Sequence, residues 1–357
     1  MKKRQLGSKL SVPIQYGETQ NDFYARIQKI IENARSNLVL AINHEMVLAY
    51  WEIGREIIEE EQNGKDRAAY GARLIENLSM HLSMQFGSGF TIANIRNMRQ
   101  FYMAYPKRYA LRSELGWTHY RMLMRVEDEK ARNFYEIECA KNHWSSRELE
   151  RQISSLLFHR LALSRDKKGV MRLARNGQEI EKGADLVKDP YVLEFLGIKE
   201  TAVMRESTLE QALIDNLASF LMELGRGFAF VARQKRIVLD GEHFWIDLVF
   251  YNTLLRCYVL VDLKIGKLVH QDIGQMQMYV NYYQREMMND GDNPPIGIIL
   301  CADKTDAVVK YTLPENNKRI FASKYKLCLP TEKELASEIR RQKALIENRM
   351  KKRREDR

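Results

Sequence analysis

The chain has 357 residues, enough for two domains with sizeable cores. Its formal net charge of +10 and pI near 9.3 fit an anionic partner such as nucleic acid. No apolar run is long enough to span a membrane, the polar start does not read as a signal peptide, and four scattered cysteines (Cys139, Cys257, Cys301, Cys328) form no zinc-like cluster, so a cytoplasmic, reduced protein without a membrane partner is expected.

Residues 1–163 read as a helical domain for DNA binding or dimerisation. Apolar residues recur at helical spacing through NDFYARIQKIIENARSNLVLAINHEMVLAYWEIGREIIEEEQ. A second helix over 73–85 ends at FGSGF, where Gly87 and Gly89 allow a sharp turn. Thr91 is then placed to cap the helix TIANIRNMRQFYMAY. Helix, glycine-containing turn, helix is the outline of a helix-turn-helix. Its second helix offers Asn94, Arg96, Asn97, Arg99 and Gln100, residue types that read base edges or grip phosphates. Helical bundles without a DNA role share this outline, so spacing alone leaves both readings open. Trp117 and Trp144 read as core anchors, whereas Arg121, Arg125, Arg147 and Arg151 face phosphate, solvent or a partner chain.

Residues 164–205 are charged and weakly periodic, a connector with turn signals at Asn176-Gly177 and Lys182-Gly183. Pro190 precedes a short apolar helix.

The domain expected over 206–335 begins with a helix over 207–224 that carries Glu210 in its first turn. Ser207-x-x-Glu210 also fits a capping box, so Glu210 has a structural and a chemical reading. A strand near 228–239 contains Lys235 and Arg236. Two strand-like runs follow, FWIDLVFY (244–251) and CYVLVDLK (257–264), with Asp247, Asp262 and Lys264 inside them. Charges in apolar strands are costly to bury without a partner. Two carboxylates and a lysine also suit metal-assisted hydrolysis of a phosphodiester. Alternation puts Asp262 and Lys264 on one face. A hairpin symmetric about the Leu254–Leu255 bond sets Asp247 opposite Asp262, with Cβ atoms roughly 4.5–5.5 Å apart, close enough to share one Mg²⁺. A slip of one residue separates them. A plain buried Asp–Lys pair is the competing reading.

A helix over 270–286 then brings Gln275 and Tyr279 one turn apart. The strand IGIILC (296–301) follows Pro294-Pro295, and Cys257 and Cys301 read as buried thiols. Residues 336–357 form a basic tail: Arg340 to Arg357 hold nine Lys/Arg against three Asp/Glu, a net of +6 (9 − 3), which tracks phosphates or is simply solvated.

An acid on the first helix, D…D-x-K on the second and third strands and Q-x-x-x-Y on the next helix resemble the PD-(D/E)xK phosphodiesterase superfamily. The segments LEQALIDNL, ELGRGFAFVARQ, IDLVFYNTLLRCYVLVDLK and GQMQMY resemble the nuclease domain of the YhcG-type nuclease family. YWEIGREI, FGSGFTIANIRNMRQFY, GWTHYRMLMRV and WSSRELERQI resemble its N-terminal domain. The resemblance runs from about residue 20 to 330. It implies a helical domain followed by an α/β restriction-endonuclease-like domain with a mixed central sheet flanked by helices.

The resemblance also implies a Mg²⁺- or Mn²⁺-dependent endonuclease acting on DNA. Asp247, Asp262, Lys264 and Gln275 would be catalytic. Asp247, Asp262, Glu210 and the backbone carbonyl of Leu263 would hold metal. Arg96, Asn97, Arg99, Gln100, Tyr279 and Lys235 would meet nucleic acid. Two positions depart from the pattern: Ile246 stands where the superfamily has its proline, and Asp262 where close relatives more often have Glu. An RNA nuclease shares the same site, and a catalytically silent nucleic-acid- or protein-binding factor is the other class. DNA recombination, repair and defence are roles for such an enzyme. A homodimer suits double-strand cleavage.

Overall fold

A computed structural model describes residues 18–63, 68–163, 167–198, 205–314 and 316–329. The MKKR start and the basic tail lie outside the described residues. The described residues fall into two compact units, one running to Arg121 and the other from Met122. This division lies well before residue 163, the end of the helical domain expected from sequence. Among the described residues no helix is long and apolar enough to cross a membrane.

The first unit is helical: α1 (Glu18–Asn63), α2 (Ala68–Phe86), α3 (Ile92–Ala104) and the start of α4 (Trp117–Leu123). Ile57, Ile75 and Ile95 bring α1, α2 and α3 into one core, with Trp117, Phe101, Tyr105 and Tyr120 packed edge-on beside it. The turn between α2 and α3 is tied down from both sides. Thr91 caps α3 by accepting from the Asn94 amide at 3.3 Å, and Ser79 Oγ donates to the Phe90 carbonyl at 2.8 Å. Gly54 sets how closely α1 and α3 approach: a Cβ there would lie 2.1 Å from the Met98 carbonyl oxygen.

The second unit begins with α5 (Glu129–Asn142), α6 (Ser146–Ser154), α7 (Leu157–Leu163) and α8 (Lys167–Asn176). α6 starts at a full capping box, Ser145 with Glu148. The segment read as a connector is built into this unit. α8 packs on α5, and Leu186, Tyr191 and Leu193 enter the main core. Where a short apolar helix is expected after Pro190, the chain forms strand β1 (Tyr191–Val192) and one 3₁₀ turn over Glu194–Leu196. Two residues pairing with a sheet edge carry no helical or alternating signal of their own.

Helices α9 (Glu206–Asp215) and α10 (Leu217–Leu224) are followed by β2 (Phe228–Leu239), β3 (Glu242–Asn252) and β4 (Cys257–Lys267). Then come α11 (His270–Tyr282), β5 (Ile296–Asp303), α12 (Asp306–Thr312) and β6 (Ile320–Lys326), the last a strand that the sequence reading missed. The six strands form one mixed sheet in the order β1-β6-β5-β4-β3-β2. β4, β5, β6 and β1 run parallel, whereas β2, β3 and β4 are antiparallel neighbours. Alternating side chains divide between two cores. Val259, Val261 and Leu263 pack with Leu209, Leu213 and Phe220 of α9 and α10, and Leu260 packs with Met276 and Val280 of α11.

A buried charge network fastens α6 and α7 to α10 and β1. Arg160 and Glu223 are fully buried and meet at 2.5 Å. Arg151 reaches Glu223 at 3.3 Å and Glu194 at 2.7 Å, and the Val192 amide donates to Glu223 at 3.0 Å. Lys188 donates to the Glu223 carbonyl. Burial alone would raise the Glu223 carboxyl, but Arg160, Lys188 and Arg151 outweigh it and hold it at about 2.

Gly54→Ala is expected to destabilise the first unit by about 1–3 kcal/mol through overpacking, read by chemical denaturation. Glu223→Gln leaves Arg160 and Lys188 buried without their counter-charge. A loss of roughly 3–5 kcal/mol is expected in the second unit by the same measurement.

Candidate active site

The hairpin between β3 and β4 takes the symmetric register, pairing Asn252 with Cys257 and, at its far end, Leu248 with Val261. The ladder stops there, one residue short of Asp247 and Asp262. Beyond it the Asp247 carboxylate replaces the missing strand, accepting from the Leu263 amide at 2.7 Å. β3 also turns over at this point: Ile246 is buried in the core against α11, and Leu248, two residues on, in the core against α9 and α10. In a regular strand both would face the same way. Strand alternation therefore cannot orient Asp247, and the backbone break does.

Asp262 is 2% exposed, with Lys264 Nζ at 2.9 Å from its Oδ2 and Glu206 a further 3.9 Å from that ammonium. Burial, followed by the charge of Asp247, pushes the Asp262 carboxyl up to about 7 against the pull of Lys264. Burial works to lower the Lys264 ammonium, and the Asp262 carboxylate outweighs it, so Lys264 stands above its ordinary pKa. The central strand thus carries a strongly basic carboxylate beside a firmly charged lysine.

Glu210 comes to this point from α9. Leu209 and Leu213, one turn apart, seat the helix on the sheet, and Glu210 beside them is buried. The capping-box reading of Glu210 is not what forms. The helix starts after Arg205 without a side-chain cap, and Glu210 Oε2 accepts instead from Gln234 Nε2 of β2 at 2.7 Å. The same nitrogen donates to Asp247 Oδ1 at 3.0 Å, so one amide links the helix acid to the strand acid. Arg233 Nε stands 3.4 Å from Glu210 Oε1, which is buried and accepts no hydrogen bond among the described residues. Burial raises the Glu210 pKa, as does the charge of Asp247, while Gln234 lowers it.

On α11, Gln275 donates to the Tyr279 hydroxyl, which donates to the Trp245 carbonyl at 2.8 Å. Tyr279 is fully buried and its phenol is pushed up to about 12 by burial. It therefore props β3 beside Asp247, and its expected contact with nucleic acid is corrected on that ground. Lys235 is half-buried across from Ile246 on β3. On α3, Arg96 and Gln100 are exposed and Asn97 is half-buried. Arg99 is held within the unit, its Nε 2.8 Å from Glu61 of α1. Asn94 is likewise engaged, by the Gly89 carbonyl and the Trp117 indole.

The structure thus gathers Glu210, Asp247, Asp262 and Lys264, and adds Gln234, Arg233 and Glu206. The sequence reading missed these three because they sit in polar stretches, ESTLE and ARQKR, where no apolar context marks them.

A mixed sheet flanked by helices, with two acids and a lysine on its central antiparallel strands and a third acid on the preceding helix, defines a PD-(D/E)xK nuclease. Residues 184–340 match the model of the YhcG PDDEXK nuclease domain, and residues 26–160 match the DUF1016 N-terminal domain. The chain is 38% identical over 350 residues to "Putative nuclease YhcG" of Escherichia coli (strain K12), covering 89% of this chain and 93% of that protein. It belongs to the YhcG family of PD-(D/E)xK nucleases. Among solved structures, a repair endonuclease from Pyrococcus abyssi is 17% identical, over 36% of this chain and 50% of that one, with a TM-score of 0.26. The EndoMS–dsDNA2 complex is 14% identical, over 38% of this chain and 51% of that one, also at 0.26.

Asp262 gives a pH signature in metal-free protein. Its folded pKa of about 7 lies above its ordinary 3.8, so the folded state binds the proton more tightly than the unfolded chain between those values. The contribution of Asp262 is fully present below about pH 4 and is lost as pH rises through about 7. Asp262→Asn should therefore melt above wild type at pH 8 and alongside it near pH 4, in thermal scans with chelator present.

Proposed function

We propose that this nuclease is a divalent-metal-dependent DNA endonuclease, with Asp247, Asp262, Glu210 and the Leu263 carbonyl holding the ion. The buried Asp262–Lys264 pair beside Asp247 carries this reading. A carboxylate made this basic by burial and by a second acid gains most from a nearby cation. The donors are all oxygen, which suits a hard ion such as Mg²⁺ or Mn²⁺. Among the described residues no three acids, histidines or cysteines converge as a ready metal cluster. The buried Glu210 Oε1 has no hydrogen bond and only the Arg233 ion pair at 3.4 Å, so it is the acceptor that fits such an ion best, with Arg233 moving aside.

A bound divalent ion supplies Lewis-acid polarisation of the phosphate and a water of lowered pKa. The protein's own groups do the rest. Lys264 Nζ, held charged by Asp262, orients the attacking water by its oxygen and offsets the negative charge developing on the phosphate. Asp247, anchored on the Leu263 amide, keeps its carboxylate beside the scissile position. Gln275 and Tyr279 brace β3 on that side. In the helical unit, exposed Arg96 and Gln100 on α3 select or position the DNA.

The test uses wild type, Asp262→Asn and Lys264→Ala with duplex, single-stranded and branched DNA and with RNA, in Mg²⁺ or Mn²⁺. Wild type should cut DNA and stop on chelation. Lys264→Ala should be slower by on the order of 10²-fold or more. Asp262→Asn should bind DNA without cutting it. Undiminished cutting by Asp262→Asn would overturn the site, and cutting of RNA alone would overturn the substrate.

A further inference from the structure

Gln234 is held in a backbone conformation that its neighbours do not share. Its φ of 44° is left-handed, inside the long strand β2 and away from the β2–β3 turn. Only the turn residue Asp240, at 49°, matches it among the non-glycine residues of that strand pair. The β2–β3 ladder pairs Arg233 with Leu248 and Lys235 with Ile246, and has no pair at Gln234 and Asp247. A left-handed non-glycine residue in a strand costs about 1–3 kcal/mol and persists only where its surroundings fix it.

The kink has a geometric effect. Consecutive strand residues point to opposite faces. Arg233 and Gln234 nevertheless both reach Glu210, at 3.4 Å and 2.7 Å. Arg233 also donates to Gln211 of α9 at 3.0 Å. The turned backbone therefore brings the carboxamide of Gln234 round to the same side as its neighbour.

The carboxamide nitrogen has two hydrogens to give. One goes to Glu210 Oε2 and the other to Asp247 Oδ1 at 3.0 Å. The second oxygen of Asp247 is already held by the Leu263 amide. The second oxygen of Glu210 accepts no hydrogen bond and is buried. A carboxylate on a helix and one on a strand would otherwise repel and rotate apart. Here each is fixed by a donor, and the other oxygen of Glu210 keeps only the ion pair with Arg233.

We infer that Gln234 is a positioning residue of the metal site. Its amide clamps Glu210 and Asp247 in one orientation, so that Glu210 Oε1 can exchange its Arg233 contact for the ion. The inference rests on the metal-dependent reading of the site proposed above. It assigns Gln234 no contact with the substrate.

Gln234→Gly and Gln234→Ala separate the amide from the backbone shape. Glycine adopts positive φ freely, so Gln234→Gly keeps the kink and removes only the side chain. Full-length protein is titrated with Mn²⁺ alone, followed by calorimetry or by the electron spin resonance of free Mn²⁺. A thermal melt in chelator is run beside it. Both variants should bind Mn²⁺ about 10–100-fold more weakly than wild type, the usual loss when a group orienting a ligand is removed. Gln234→Gly should melt above Gln234→Ala, because both lose the amide and only glycine adopts the positive φ without strain. Wild-type Mn²⁺ affinity in Gln234→Gly would overturn the role of the amide. Asp262→Asn separates the two levels of the argument. If it loses Mn²⁺ while Gln234→Gly does not, the positioning role falls and the metal site stands. If Asp262→Asn binds Mn²⁺ like wild type, the metal site itself falls.

Discussion

The amide of Leu263 lies within a buried strand and must be satisfied by something. β3 supplies backbone partners to β4 only as far as Leu248, and past that point the Asp247 carboxylate takes over the bond. Much of the site's arrangement follows from this substitution of a side chain for a strand. It orients the first acid toward β4 and keeps its charge close enough to raise the pKa of Asp262. It also coincides with the turnover of β3 between Ile246 and Leu248. Lys264 then lies where it can compensate the buried Asp262.

The third acid depends on a different part of the chain. Glu210 is placed by α9, which is seated on the sheet by Leu209 and Leu213 and continues through Asn216 into α10. α10 is in turn fastened at Glu223 to Arg160, Arg151 and the β1 amide. A buried charge left without its partner is costly, so the network favours one seating of α10 over others. The helices between Met122 and Leu163 thereby clamp α10 within the second unit. They hold the helix pair that carries Glu210.

Legibility followed the local signal. Asp247, Asp262 and Lys264 stood out because charges interrupt apolar runs, and the short hairpin between them has few ways to close. Its symmetric register is what forms. The family resemblance carried Glu210, Gln275 and Tyr279 to the site, and the structure then sorted them. Tyr279 is buried as a prop, and Gln275 is bound to it. β1 went unread because it is two residues long and pairs with β6 far along the chain, and β6 because IFASKYK mixes lysines and a serine into its apolar positions. Gln234 lies in a polar run whose residue types suit a solvated strand. Arg99 pairs with Glu61 because helix packing brings α3 against α1, a contact that no local pattern announces.

By itself the sequence determined the helical N-terminal segment, the order of elements from α9 to β5, and the placing of two acids and a lysine on paired strands. These follow from hydrophobic period, charge placed against that period, and short connections, all of which act over a few residues. Only the tertiary structure decided where the β3–β4 ladder ends and which way Asp247 faces. It also decided that a left-handed residue on β2 ties Glu210 to Asp247, and that residues 122–163 belong with the sheet. These depend on backbone breaks and buried charge pairs between segments distant in the chain. Their energies balance only when all the partners are in place.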